Sequence, residues 1–222
     1  MTNNSVIIQQ CFDFHNSHTF SDMMHLTYQR HCTYAESHNF DYWHVLGTLY
    51  PDMITNTQGG GWCKIGLIQM ALKRGYDYIA WIDADAAITS ECDLRDALPA
   101  GKFIGAAHHD APWFPQYQIL PHYNIGVTYW RNNPLVLEFT QDWLSRYPGD
   151  MRWMEQGTFN AMIAEDKYKD LFAPVEAKWN ATINVNEVEK PNIMGWHGVM
   201  PEARRFSMMK EVFKDDFIKY RI

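Results

Sequence analysis

Tyr78–Ala87, with the sequence YIAWIDADAA, is the stretch that decides the fold, because a run of apolar residues ends there in two closely spaced carboxylates. A continuous apolar run of this length is typical of a strand that is buried on both faces, as in parallel sheets. In open α/β sheets, ligands bind at the carboxyl ends of the strands. The stretch therefore predicts a buried parallel strand with a binding site at Asp83 and Asp85.

Strand and helix patterns alternate on both sides of this stretch. The alternation predicts an α/β fold with a largely parallel central sheet flanked by helices. We expect a single domain over residues 1–222, since 222 residues is the length of one large domain. The predicted strands are Val6–Ile8, Asp41–Leu46, Lys102–Ala107 and Ile125–Trp130, and the predicted helices are Ser21–His38, Trp62–Arg74, Pro134–Tyr147, Met151–Ala164 and a C-terminal helix with Phe206, Met209, Phe213 and Phe217 on one face.

The composition is that of a globular protein and excludes several classes of function. Hydrophobic residues make up 46% and charged residues 20% of the chain, so disorder is not expected. A net charge of −7 argues against a broad nucleic-acid surface, because phosphate binding needs clustered Lys and Arg. The chain has no long apolar window, and its first residues lack the pattern of a signal peptide. We therefore expect a soluble, cytoplasmic protein with no membrane span.

The two carboxylates are candidate metal ligands. Two acids spaced i, i+2 at the end of a buried strand repel each other unless a cation joins them. Oxygen ligands select Mg²⁺ or Mn²⁺ over softer metals, and such an ion keeps positions open for substrate phosphates. The alternative is that Asp83 and Asp85 form a polar strand end that caps the next turn. The buried strand before them and the small alanines around them favour the metal site.

Several short motifs follow one another along the chain: Tyr34–Asp41, Trp62-Cys63-Lys64, Asp83-Ala84-Asp85, Asn124–Val127 followed by Arg131-Asn132, Glu155-Gln156, and Gly195–Gly198 with His197. In this order they resemble the motifs of glycosyltransferase family 34, the galactosyl- and xylosyltransferases with the GT-A fold. The resemblance extends over most of the chain. This sequence shows no stretch like the membrane anchor and stem usual in that family, and its spacing near His197 is looser, so we expect a small soluble relative, bacterial or viral.

The resemblance implies metal-dependent transfer of a sugar from a nucleoside diphosphate sugar to an acceptor of unknown identity. It places Mn²⁺ (or Mg²⁺) on Asp83, Asp85 and His197. The resemblance also implies that Lys64, Asp83, Asn124 and Gly126 bind the donor. Two alternatives stay open: His197 could be purely structural, and Lys64 could lie on a solvated helix face.

The resemblance also implies retention at the anomeric carbon, with Gln156 and Glu155 as the catalytic pair. Adjacent side chains on a helix diverge by about 100°, so both are not expected to face the anomeric carbon. We expect Gln156 to face it, with attack from the side of the leaving group, and Glu155 to help hold the donor sugar. The alternative is that both residues lie on a solvated helix.

An acceptor rim is predicted around His108, His109 and Trp113, with a structural role as the alternative for the two histidines. Neighbouring residues on a strand point to opposite faces, so the two histidines are not expected to bind one ion. Aromatic side chains stack well on sugars. Four tryptophans, most of which lie near Gly or Pro, are therefore expected to line a ligand cleft: Trp62, Trp113, Trp153 and Trp196.

Two other classes of function are compatible with parts of the sequence. In a haloacid-dehalogenase-type phosphatase the first Asp is a nucleophile, but that motif belongs near the N-terminus and Asp83 lies mid-chain. A sugar-binding module without catalysis would also be rich in Trp and Tyr. Binding of a nucleoside diphosphate that depends on metal would separate a transferase from both.

Overall fold

The structure is a computed structural model, and it describes residues 4–11, 19–47, 61–109, 122–148, 153–185 and 188–214. Nine strands and five helices alternate along these ranges. The strands are β1 Ser5–Cys11, β2 Asp41–Leu46, β3 Tyr78–Asp83, β4 Ala86–Ile88, β5 Ile104–His108, β6 Tyr123–Arg131, β7 Phe172–Val175, β8 Ala181–Thr182 and β9 Ile193–Gly195. The helices are α1 Thr19–His38, α2 Cys63–Lys73, α3 Pro134–Ser145, α4 Met154–Met162 and α5 Glu202–Val212.

Six strands form the central sheet in the order β2-β1-β3-β6-β5-β7. Five of them run in the same direction and β6 runs against them, pairing antiparallel with both β3 and β5. The predicted α/β fold with a largely parallel sheet is confirmed. The apolar stretch Tyr78–Asp83 lies in the centre of this sheet, and its first five residues are buried.

A second, three-stranded sheet lies beyond the end of β3, in the order β4-β9-β8. Strand β4 follows β3 after a turn at Ala84 and Asp85, and it pairs with β9 so that Ala86 lies opposite Gly195. This pairing brings the residues after β9 beside the end of β3. The late part of the chain therefore reaches the carboxylates that the sequence singles out.

Helices cover both faces of the central sheet with separate apolar clusters. One cluster joins α2, α3 and α4 to the sheet and contains Trp81, Trp130 and Trp143. A smaller cluster joins α1 to α5 through Met23 and Met209. None of the helices in the described ranges is both long enough and apolar enough to cross a membrane.

Strand β6 has an irregularity next to the site. Opposite β5, the register moves from Ala106 paired with Thr128 to Ala107 paired with Asn124, so Ile125, Gly126 and Val127 bulge out of that pairing. A bulge releases backbone groups from the ladder and makes them available to side chains. Asn124 stabilises the bulge, because its Oδ1 accepts a hydrogen bond of 2.7 Å from the backbone N–H of Gly126.

Candidate functional site

Asp83, Asp85 and His197 come together at the carboxyl end of β3. Asp83 is the last residue of β3, and Asp85 follows in the turn before β4. The backbone N–H of Trp196 donates to the carbonyl oxygen of Asp85 at 2.9 Å, so the next residue, His197, lies beside Asp85. Its Nδ1 lies 3.0 Å from Oδ1 of Asp85. One ligand atom from each of the three residues lies within 4.8 Å of the other two.

The imidazole of His197 is held between two glycines. A Cβ atom at Gly126 would lie 2.3 Å from Cε1 of the ring, and a Cβ atom at Gly195 would lie 2.5 Å from Nε2. Both distances are far shorter than carbon and nitrogen atoms can approach without a shift of the structure. On its other edge, Nε2 of His197 contacts Oδ1 of Asn180 at 3.3 Å. Both glycines are thus required for the ring to reach Asp85.

Asp85 is buried, and both of its carboxylate oxygens have a partner. Oδ1 faces His197, and Oδ2 accepts a hydrogen bond of 2.5 Å from Nη1 of Arg205 on α5. Burial alone would raise the pKa of Asp85, but the neighbouring His197 and Arg205 lower it well below its usual value. Asp85 is therefore ionised across the physiological pH range, which a metal ligand requires.

Lys64 is buried at the start of α2, so the interpretation that it lies on a solvated helix face is wrong. Its Nζ lies 3.2 Å from Oδ1 of Asp83 and 3.4 Å from Oε1 of Glu155, and it donates to the carbonyl oxygen of Ile125 at 3.3 Å. Burial lowers the pKa of Lys64, but the two carboxylates outweigh this effect and raise it. Lys64 thus carries a positive charge between Asp83 and Glu155.

Glu155 on α4 is also buried, so a solvated helix is excluded for this residue. A Cβ atom at Gly61 would lie 2.1 Å from its carboxylate, so this glycine makes room for it. Burial raises the pKa of Glu155, and the ammonium of Lys64 opposes that rise. The carboxylate therefore depends on Lys64 for its charged form.

Gln156, the next residue on α4, points to the bulge of β6. Its Oε1 accepts a hydrogen bond of 3.1 Å from the backbone N–H of Ile125, which leaves its Nε2 to donate to Nε2 of His122 at 2.8 Å. Burial, together with the nearby His108, lowers the pKa of His122. His122 is thus neutral and can accept this bond. Glu155 and Gln156 have different surroundings, as the divergence of adjacent helical side chains predicts.

The predicted acceptor rim is only partly within the described residues. His108 is exposed at the end of β5, with its ring 5.6 Å from that of Tyr123. The ring of His109 stacks on that of His122 at 5.8 Å, which brings it to the Gln156 side of the site. Trp113 lies outside the described residues. The predicted ligand cleft is wrong for Trp62 and Trp196, because both are buried.

Gln9 and His31 support the turn that carries the two acids, and the sequence did not single them out. Nε2 of Gln9 donates to the carbonyl oxygens of Asp83 at 3.3 Å and Ala86 at 3.5 Å. Burial lowers the pKa of His31 to about 3, so His31 is neutral. Its Nε2 accepts a hydrogen bond from the backbone N–H of Ile88, and its Nδ1 lies 3.2 Å from Oε1 of Gln9. A glutamine in the middle of an apolar strand was the available signal.

The donor set fits a divalent cation. Two carboxylates and one imidazole converge, one carboxylate is held ionised, and the imidazole has a cradle that only glycines allow. Carboxylate oxygens suit Mg²⁺ and Mn²⁺, and an imidazole nitrogen is an additional ligand typical of transition metals. The cluster that the sequence predicts from the resemblance is thus assembled in the fold.

Many solved structures share this fold, among them three glycosyltransferases that match most of this chain. A glycosyltransferase involved in the glycosylation of the major capsid of PBCV-1 is 15% identical, and the match covers 93% of this chain and 99% of that chain with a TM-score of 0.69. The galactosyltransferase LgtC, solved with donor and acceptor sugar analogs, is 12% identical over 93% and 95% of the chains, with a TM-score of 0.55. Mouse xyloside xylosyltransferase 1 is 12% identical over 89% and 99%, with a TM-score of 0.54.

At these identities the likeness is one of fold, and it confirms the predicted GT-A-like architecture. No family model matches the sequence, and no curated protein does.

Proposed function

We propose that this protein is a metal-dependent glycosyltransferase, which transfers a sugar from a nucleoside diphosphate sugar to an acceptor. The observation that carries the proposal is the convergence of Asp83, Asp85 and His197 at the end of β3, in a fold shared with three glycosyltransferases. The described strands form one six-stranded sheet and a three-stranded sheet beside the end of β3. We further propose that residues 1–222 act as a single glycosyltransferase domain.

Asp83, Asp85 and His197 would hold Mn²⁺, or Mg²⁺ as a second choice, because one imidazole accompanies the carboxylates. Such an ion, when bound, stabilises the negative charge that develops on the departing diphosphate. Lys64 would hold Asp83 and Glu155 in place and add its positive charge to the donor side. This role is supported by its three contacts of 3.2–3.4 Å.

Asn124 and Gly126 would contact the donor from the bulge of β6. The Oδ1 atom of Asn124 is used within the bulge, whereas its amide nitrogen has no hydrogen-bond partner among the residues that the structure describes. A sugar hydroxyl is a suitable acceptor for that nitrogen. His108, His109 and Trp113 would border the acceptor, and the position of His109 beside His122 supports this for one of the three.

We propose that transfer proceeds with retention, by attack from the leaving-group side and with Gln156 near the anomeric carbon. Glu155 is paired with Lys64 and buried, which suits holding the donor better than forming a covalent bond. Gln156 is a poor nucleophile, and its amide is oriented by Ile125 and His122. The two residues would thus position the donor sugar.

The test is a panel of nucleoside diphosphate sugars with Mn²⁺, scored by thermal shift and by slow hydrolysis of the donor. A cognate donor at about 100 times its Kd should stabilise the fold by about 2.7 kcal/mol. Asp85→Asn should lower turnover by about a hundredfold or more, because a major electrostatic contribution is lost. Full activity of this variant, or of the wild type in excess chelator, would contradict the proposal.

Asp93→Asn is the matched control. Asp93 is also paired with an arginine, with Nη2 of Arg95 at 2.7 Å from its Oδ2, and its pKa is also lowered, with the bonds from Arg95 outweighing burial. It caps a short helical turn and is not among the three residues of the candidate metal site. Loss of turnover in Asp85→Asn but not in Asp93→Asn would assign the effect to the site. No observation favours the phosphatase or the sugar-binding module.

A further inference from the structure

Arg205, on the C-terminal helix α5, reaches 120 residues back along the chain to the candidate metal site. We propose that Arg205 is a positioning residue that clamps two of the three metal ligands, Asp85 directly and His197 through its loop. The inference rests on the metal site of the proposed function. Nothing in the motif pattern around Asp83-Ala84-Asp85 requires an arginine at this place.

The first half of the clamp is the contact with Asp85. Nη1 of Arg205 holds Oδ2 at 2.5 Å, and both side chains are buried. The bond to Oδ2 restricts rotation of the carboxylate, and Oδ1 is presented to Nδ1 of His197 at 3.0 Å. Arg205 thereby selects the oxygen of Asp85 that faces the centre of the cluster. An ion at the centre would meet Asp85 through that oxygen.

The second half of the clamp is the loop after His197. Nε and Nη2 of Arg205 both donate to the carbonyl oxygen of Val199, each at 3.2 Å. The N–H of Val199 in turn donates to the carbonyl oxygen of Trp196 at 3.2 Å, which closes a turn around His197. The planar guanidinium can hold Asp85 and Val199 at the same time because its donors have a fixed fork geometry.

Charge and position predict opposite effects when Arg205 is removed. A positive charge beside a cation site repels the cation, so its loss by itself would tighten metal binding. If Arg205 instead positions two ligands, its loss loosens both and weakens metal binding. Residues that orient metal ligands from outside the ligand set change affinity by about 10–100-fold. The direction of the change therefore decides between the two.

The experiment is a titration of each protein with Mn²⁺ alone, with unbound Mn²⁺ counted by electron paramagnetic resonance. We expect Arg205→Met to weaken binding by at least about tenfold. Arg205→Lys keeps the charge but cannot hold Asp85 and Val199 together, so it should also bind more weakly than the wild type. Arg30→Met is the control, because Arg30 also lies at the α1–α5 interface, with its guanidinium 5.3 Å from the ring of Phe213.

Hydrogen exchange without metal gives an independent measure of the clamp. The peptide with Trp196–Val199 should exchange faster in Arg205→Met and Arg205→Lys than in Arg30→Met. Unchanged or tighter Mn²⁺ binding in Arg205→Met, or full wild-type affinity in Arg205→Lys, would overturn the clamp while leaving the metal site intact. Failure of the wild type itself to bind Mn²⁺ would overturn the metal site and the role of Arg205 with it.

Discussion

Replacing Lys64 by methionine removes the positive charge between Asp83 and Glu155 while keeping an unbranched side chain of similar length. Glu155 is 8% exposed and would be left as a buried carboxylate without its cation, whereas the side chain of Asp83 is 31% exposed and can turn to water. The decrease in the free energy of unfolding should therefore come mainly from Glu155. Breaking one partner of a buried ion pair costs about 3–5 kcal/mol.

Protonation of Glu155 sets an upper limit on this cost. The carboxyl has an ordinary pKa of 4.5, so keeping it neutral at pH 7 costs about 3.4 kcal/mol, at about 1.4 kcal/mol for each pH unit. In the variant the pKa of Glu155 in the folded state lies further above its unfolded value. The folded variant then binds a proton that the unfolded chain does not, so its stability relative to the wild type is lost as the pH rises. We expect a loss of about 3 kcal/mol at pH 7 that falls to about 1 kcal/mol at pH 5.

The assay is urea denaturation of the wild type, Lys64→Met and the double variant Lys64→Met/Glu155→Gln at pH 5, 6 and 7. The double variant has no charge at position 155, so it should recover about 2 kcal/mol at pH 7 and lose the pH dependence. Glu155→Gln alone is the control for the lost carboxylate. A cost of Lys64→Met that is the same at pH 5 and pH 7, or no recovery in the double variant, would refute this account of the buried pair.

Three further predictions follow from the geometry of the site. Gly126→Ala should weaken Mn²⁺ binding by at least about tenfold while the chain stays folded, because the new Cβ lies 2.3 Å from the His197 ring; unchanged affinity in calorimetry would contradict the glycine cradle. The free energy of unfolding should fall by up to about 1.4 kcal/mol for each pH unit below 6.5, because the unfolded chain protonates His31 whereas burial lowers the pKa of His31 in the fold to about 3. In urea denaturation, His31→Gln should lose this part of the pH dependence. Proton NMR of the product should show retention once a donor and acceptor are known, and a β-linked product from an α-linked donor would contradict same-side attack.

The local patterns of the sequence determined the fold class and the core of the site. The apolar run Tyr78–Ile82 predicted a buried strand, which the structure confirms, and Asp83 and Asp85 at its end predicted a candidate binding site. The spacing of apolar residues shows which face of a helix or strand is buried, and the predicted helices and strands were long enough for that spacing to be clear. The donor set with His197 was implied by the resemblance, and the fold brings the three residues together.

The partners of these residues were decided by the tertiary structure. An apolar run such as Ile125–Trp130 shows that a strand is buried but not its direction, so the reversal of β6 and its bulge could not be predicted. The burial of Lys64 required the packing of α2 against the sheet and the approach of Glu155 from α4.

The pairing of Asp85 with Arg205 joins positions 120 residues apart. The periods of 2 and 3.6 residues that indicate strands and helices describe single segments, so they do not show which distant residues meet. The sequence thus determined which segments are buried and where the acids lie. Packing of those segments determined which charges face one another, because ion pairs form between side chains that only the assembled layers bring within about 4 Å.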